Sequence, residues 1–247
     1  MKCHVLTLFP GIVEAALGDS ILKRAAEKGL LDVTVTDLRE FTHDRHKTAD
    51  DYPFGGGPGM VLKPDPVFEA MDALRAKGED LRVILLSPQG AIFDHNKALE
   101  LSGEPRTLVF ICGRYEGIDE RVRLALVDEE LSIGDFVLSG GELAASVVIE
   151  ASARLIPGVL GGDESAGLDS FYEGLLDYPH YTRPAEYRGM EVPEVLISGN
   201  HERIRVWRRK QALMATMTKR PDLLDKVELS KEDKRLLKEI EADLWSG

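Results

Sequence analysis

The sequence predicts an α/β fold, a parallel sheet flanked by helices, followed by a small helical C-terminal domain. Three observations carry this. Short apolar runs alternate with helix-period stretches in the order β-α-β-α-β, with short links between them. Two runs, Thr107–Ile111 and Glu130–Ile133, lead through glycine-rich turns into helical patterns, Ile118–Val127 and Glu142–Ile156. Beyond Tyr181 the strand pattern gives way to long charged helices.

Taken in order, residues 1–8 read as a strand, and Pro10 suits the first position of the helix that follows. Ser20–Lys28 is amphipathic and stops at Gly29. In Leu31–Leu38, Leu31, Val33 and Val35 alternate with Asp32, Thr34 and Thr36, the period of a half-buried strand. Arg39–Met60 has no periodicity and contains Asp51-Tyr52-Pro53-Phe54-Gly55-Gly56-Gly57-Pro58-Gly59, so it is expected as a long functional or mobile loop. Pro64–Lys77 reads as a helix ended by Gly78, and Arg82–Leu86 as a buried strand. A turn Ser87-Pro88-Gln89-Gly90 and a short helix from Asp94 come next. The helix from Glu142 stops at Pro157-Gly158. Val159–Tyr181 is acidic, glycine-containing and aperiodic, and reads as an interdomain linker that doubles as a lid. Val195–Ser198 is a short apolar run. Asn200 caps a basic helix ending before Pro221, and Ser230 with Asp233 forms a capping-box-like start to the last helix. The expected division is therefore 1–158, linker 159–181, and 182–247.

The bulk numbers narrow the class. A chain of 247 residues holds one large domain or a main domain with a small one, and 43% hydrophobic residues suffice for a core. Cys3 and Cys112 both fall in apolar runs and are expected as core thiols in a reducing cytosol. The N-terminus is too short for a signal h-region, and no apolar run approaches a membrane span, so a cytoplasmic protein with no membrane contact is expected. The net charge of −12 argues against a generic nucleic-acid coat. Yet His201–Arg220 carries seven bases and one acid, which fits either a solvated helix face or a local contact with RNA.

The glycine turns, Cys112-Gly113-Arg114-Tyr115-Glu116-Gly117 and Ser132-Ile133-Gly134-Asp135-Phe136-Val137-Leu138-Ser139-Gly140-Gly141-Glu142, fit two readings. They are ordinary strand-to-helix loops, or they line one pocket at neighbouring strand ends, where backbone N–H groups can meet a ligand. Two such turns carrying Arg, Tyr, Glu and Asp favour the pocket. The familiar nucleotide signatures are absent: Gly55–Gly59 lacks the Gly-Lys-Ser/Thr ending of a P-loop, and no Gly-x-Gly-x-x-Gly opens a helix. No nucleophile elbow or zinc-spaced His pair is present.

A series of motifs resembles one family. They include Phe41-Thr42-x-Asp44-x-His46-Lys47-Thr48-x-Asp50-Asp51, Gly55-Gly56-Gly57-Pro58-Gly59-Met60, Leu86-Ser87-Pro88-Gln89-Gly90 and Cys112–Glu120. Ser132-Ile133-Gly134-Asp135, Gly140–Leu143, Pro157–Gly161, Asp169-Ser170-Phe171 and Pro179–Pro184 continue the series in order. Together they are similar to the bacterial tRNA (guanine-N1)-methyltransferases of the SPOUT class. Leu85, Phe136 and Ala144 depart from the family pattern, which often has Tyr, Tyr and Pro there.

The resemblance implies a SPOUT domain with a deep trefoil knot, which sequence reasoning alone would not propose. It implies methyl transfer from S-adenosyl-L-methionine to N1 of the guanosine immediately 3′ of the anticodon, nucleotide 37, by a homodimer with shared active sites. Mapped by motif, the cofactor pocket comprises Leu86, Ser87, Pro88, Gly90, Gly113, Tyr115, Glu116, Ile133, Gly134, Asp135, Phe136, Val137, Leu138, Gly140 and Gly141. Asp169 resembles the family's general base, and Arg154 the arginine that stabilises charge at guanine O6. Read without the family, Asp169 is one acid among several in its segment, and Arg154 complements a helix dipole. Glu116 and Asp169 are candidate neighbours of a magnesium ion. For tRNA, Arg203, Arg208, Arg209 and Lys210 are candidate phosphate contacts, and His46, Lys47 and Asp50 candidates for the anticodon side. The rival reading is a non-catalytic RNA- or nucleotide-binding protein of the same fold, against which Arg154 and Asp169 together speak.

Overall fold

A computed structural model of the chain describes residues 1–161 and 169–245. The chain divides into two compact units, Met1–Gly161 and Gly162–Gly247. The first runs β1 (Lys2–Thr7), α1 (Pro10–Leu17), α2 (Ser20–Glu27), β2 (Asp32–Asp37), β3 (Asp50–Asp51), β4 (Val61–Leu62) and α3 (Pro64–Arg75). It continues through β5 (Leu81–Ile92), α4 (His95–Ser102), β6 (Thr107–Cys112), α5 (Glu120–Leu126), β7 (Glu129–Ser132) and α6 (Glu142–Ala153).

Five strands form one sheet in the order β2-β1-β6-β5-β7, and every neighbouring pair is parallel. A parallel sheet is covered on both faces, so its central strands need apolar residues at every position. Leu108–Cys112 meets that demand without a polar gap and is fully buried. Alternation then sorts the side chains. Cys3, Val5, Ile84, Leu86, Leu108 and Phe110 point to one layer, where Val13 of α1, Leu22 of α2 and Val148 and Ile149 of α6 cover them. Leu6, Val83, Leu85, Val109 and Ile111 point to the other, against Val67, Met71 and Leu74 of α3 and Val122 and Leu126 of α5. Cys3 and Cys112 are free and buried, and burial pushes the Cys3 thiol up to about 12. Both therefore behave as inert core groups.

Two sequence expectations are corrected here. Ser87-Pro88-Gln89-Gly90 is not a turn that ends a strand. β5 runs on to Ile92, and both Leu86 and Ala91 pair with Leu131, so residues 87–90 bulge out of the ladder. The expected loop 39–60 is also partly ordered. Leu38–Phe41 is a 3-10 turn, and β3 pairs antiparallel with β4, closing the glycine-rich segment into an arm.

The second unit holds a hairpin of β8 (Glu186–Tyr187) and β9 (Met190–Glu191), then α7 (Glu194–Ile197), α8 (His201–Lys219), α9 (Pro221–Leu224) and α10 (Lys231–Trp245). The hairpin turns on Arg188 and Gly189, both at positive φ (56° and 78°), the backbone a two-residue turn needs. The Asn200 side chain accepts from Arg203 N–H at 3.1 Å and starts α8. Ser230 and Asp233 bond reciprocally at 3.0 Å as a capping box. Leu213, Leu236 and Ile240 form the core of this unit together with Leu175.

Leu175 belongs to the stretch read as a linker. It is buried there, Leu176 N–H donates to Thr216 Oγ1 of α8 at 2.9 Å, and Glu173 pairs with Arg209 at 2.7 Å. Residues 169–177 are thus built into the helical unit. Residues 162–168, with Gly162, Asp163, Glu164 and Gly167 of the expected lid, lie outside the described residues.

Candidate functional site

The bulge in β5 and the C-terminal ends of β6 and β7 open into a cavity of about 290 Å³. Its walls are the 87–89 bulge, the turn after β6 and the turn after β7. Every residue expected in the cofactor pocket lines it except Gly90 and Asp135, and Leu85, Gln89, Arg114, Ile118 and Ala144 join them. Gly90 has another role: a Cβ there would fall into the backbone of Glu130 and Leu131, so it serves close approach of β5 to β7. Asp135 is exposed.

One buried ion pair holds the two glycine turns together. Glu142, at the start of α6, is 1% exposed and accepts from Arg114 Nε at 3.1 Å, with Arg114 Nη2 3.0 Å from its other oxygen. Thr7 Oγ1 donates to the same carboxylate at 2.6 Å. The guanidinium also lies over the Phe9 ring, 4.2 Å from its centroid, so the buried carboxylate and the partly buried cation each have a partner. Backbone contacts reinforce the junction: Arg114 bridges to Gly140, and Gly141 N–H donates to Gly113 C=O at 3.0 Å. A Cβ at Gly140 would overlap Arg114 and Glu142, and one at Gly141 would come 2.9 Å from Cys112 Cα. These glycines admit the crossing of the two turns.

The arm 50–62 closes against the first turn. Glu116 N–H donates to Met60 C=O and Leu62 N–H to Gly117 C=O, each at 3.0 Å. Burial, followed by the nearby Asp50 carboxylate, raises the Tyr115 phenol above its usual range. Tyr115 itself sits at φ 60°, a conformation rare outside glycine and held here by these contacts. Glu116 packs its carboxylate against Gly59. Asp50, assigned from sequence to the substrate, therefore acts on Tyr115, a wall residue of this cavity.

His46 and Lys47 are exposed on a turn organised by Asp44, which accepts from His46 N–H and Thr48 N–H, both at 2.8 Å. These bonds hold the Asp44 carboxyl below its ordinary range. Arg154 caps the C-terminus of α6 in the first unit, and Asp169 is an exposed residue of the second. Among the described residues no three His, Cys, Asp or Glu side chains converge as a metal site.

The basic helix α8 is less free than its sequence suggests. Arg209 pairs with buried Asp233 at 2.6 Å, Lys210 lies 2.9 Å from Asp243, and Arg205 pairs with Glu202 and Glu232. Arg203 and Arg208 form no ion pair with described residues. Arg208 lies over the Tyr178 ring, 4.9 Å from its centroid. Sequence reasoning assigned no role to Arg114 or Glu142. The one available signal was a charged pair set inside two glycine turns, each of which looked like a loop or helix-start charge.

The family described as tRNA (Guanine-1)-methyltransferase TrmD matches residues 1–226. The chain is similar to the tRNA (guanine-N(1)-)-methyltransferase of Moorella thermoacetica, 57% identical over 242 residues, 97% of this chain and 96% of the relative. It is 55% identical to that of Citrifermentans bemidjiense over 241 residues, 98% and 96% of the two chains. The enzyme of the same description from Geobacillus kaustophilus is 52% identical over 243 residues, 98% and 99% of the two.

Proposed function

The chain belongs to the tRNA (guanine-N1)-methyltransferase family and is an enzyme of that activity, and on this premise we propose that it uses S-adenosyl-L-methionine to methylate the guanosine immediately 3′ of the anticodon, nucleotide 37. The observation that carries the donor assignment is the cavity at the β5 bulge and the ends of β6 and β7. Its wall of Ile133, Phe136, Val137 and Leu138 offers an apolar slot beside backbone donors and acceptors, as an adenine ring requires, and its bare glycine backbone admits close approach. When bound, the cofactor supplies an electrophilic sulfonium methyl.

The chain's part is to bind, orient and deprotonate. Guanine N1 carries a proton at neutral pH and is a poor nucleophile until a base within hydrogen-bond reach removes it. Asp169 is proposed to accept that proton, and Arg154 to donate to O6 as negative charge spreads onto it. The target base leaves its stack to enter the site. The proposal includes a knotted crossover around the cavity, a helical unit that holds tRNA, action in the cytoplasm and a homodimer whose second subunit supplies Asp169. Leu143 and Val147, four residues apart on α6, are 53% and 44% exposed, and Val137 is 85% exposed; such apolar side chains support a covering subunit. No helix is long and apolar enough to cross a membrane among the described residues. Glu116 and Asp169 are the carboxylates proposed to lie near magnesium; among the described residues no three His, Cys, Asp or Glu side chains converge on them.

Calorimetry of the full chain with S-adenosylmethionine, beside single-turnover transfer to an unmodified tRNA transcript, tests the reading. Asp169→Asn is expected to bind the cofactor like wild type while transfer falls by about 10²-fold or more. Loss of cofactor binding in that variant would make Asp169 structural instead.

A further inference from the structure

The second unit holds a cavity of its own, about 380 Å³, between residues 178–185 and the helices α7 and α8. Nothing in the methyl-transfer mechanism uses it. Aromatic rings make its upper wall: Tyr178 and His180 lie 4.8 Å apart at 44°, and Tyr181, half exposed, leans on Trp207 at 6.4 Å. Asp177 fixes His180 at 2.7 Å. Leu196 and Ile204 supply an apolar floor. Its charged rim consists of Arg183 and Arg208, and among the described residues no carboxylate lines it, in a chain whose net charge is −12. Aromatic faces beside unpaired guanidinium groups recognise a base and its phosphate, and bases are available for stacking only where a strand is unpaired.

We propose that this cavity takes one unstacked nucleotide of the substrate tRNA other than the target guanosine. Its base stacks on the exposed Tyr181 ring, and its phosphate meets Arg183 and Arg208, the latter held over the Tyr178 ring. The inference rests on the reading that the chain acts on tRNA and adds a second, separate nucleotide site to it.

The test uses the full chain and an unmodified tRNA transcript at fixed salt. Tyr181→Ala and Arg208→Gln are each expected to weaken tRNA binding about tenfold, with S-adenosylmethionine affinity and thermal unfolding unchanged. Tyr181→Phe, which keeps the ring, is expected to stay within about twofold of wild type. In transcripts carrying 2-aminopurine at single loop positions, one position should be quenched by wild type and released by Tyr181→Ala. Binding by both Tyr181→Ala and Arg208→Gln within twofold of wild type would overturn the proposal, as would quenching indifferent to Tyr181 at every position. Should wild type methylate the transcript in that case, only this site falls; should it fail to methylate, the tRNA reading falls with it.

Discussion

Arg114 lies 3.0 Å from the buried carboxylate of Glu142, and that pair ties together the two turns that enclose the cavity of the first unit. Arg114→Ala would leave Glu142 buried with Thr7 as its remaining donor. Removing one partner of a buried pair costs about 3 kcal/mol, because the other charge stays uncompensated. Thermal unfolding should therefore shift down sharply, and cofactor affinity should fall at least tenfold as the turns separate. An unchanged melting curve would show that the backbone contacts at Gly113 and Gly141 suffice.

Gly141→Ala places a methyl group against Cys112 and Leu86, both immobile in the core, so relief must come from moving the second turn. A reduced cofactor affinity with roughly 1–3 kcal/mol of lost stability is expected, read by calorimetry and denaturant titration. Gly90→Ala should cost a similar amount for a different reason, since its obstacle is the backbone of β7. Wild-type behaviour in either variant would refute the close-approach role.

Much of this was legible in advance. Unbroken apolar strands such as Thr107–Ile111, the Pro10 and Asn200 helix starts and the Ser230–Asp233 box are local signals, and each lies where the sequence puts it. What escaped depends on distant partners. The charge of α8 looked free because the acids that pair with Arg209 lie 36 residues before it, at Glu173, and 24 after, at Asp233. Ser87–Gly90 carries turn residues, yet β7 pairs on both sides of it and converts the turn into a bulge. Gly90 was read as a pocket residue because a glycine serves a ligand and a neighbouring strand equally well. The effect of the Asp50 carboxylate on the Tyr115 phenol links two motifs that were assigned one to the tRNA and one to the cofactor.

The Arg209–Asp233 pair makes the helical unit acid-sensitive. Arg209 holds the Asp233 carboxyl at about 2, below the ordinary value near 3.9. A depressed carboxylate stabilises the fold above the unfolded value, and that contribution is lost as pH falls from about 4 towards 2, amounting to about 2 kcal/mol. Asp233→Asn should unfold more easily at pH 7 and show a flatter acid limb by circular dichroism. A parallel acid limb would assign the sensitivity to other carboxylates.

The proposed sharing of active sites between subunits is tested by mixing. Asp169→Asn and Gly140→Val homodimers should each be inactive, while mixed subunits should recover up to about one quarter of wild-type transfer, because one of the two composite sites in each heterodimer is intact. No recovery on verified subunit exchange would place the base and the cofactor turn on the same chain.

The central claim is methylation of one atom at one nucleotide, and nucleoside mapping of tRNA transcripts incubated with the protein and methyl-labelled S-adenosylmethionine measures it directly. Label should appear as 1-methylguanosine at the guanosine immediately 3′ of the anticodon and vanish when that guanosine is replaced by adenosine. Label on another position or another atom, or none at all in protein shown to bind the cofactor, would contradict the account.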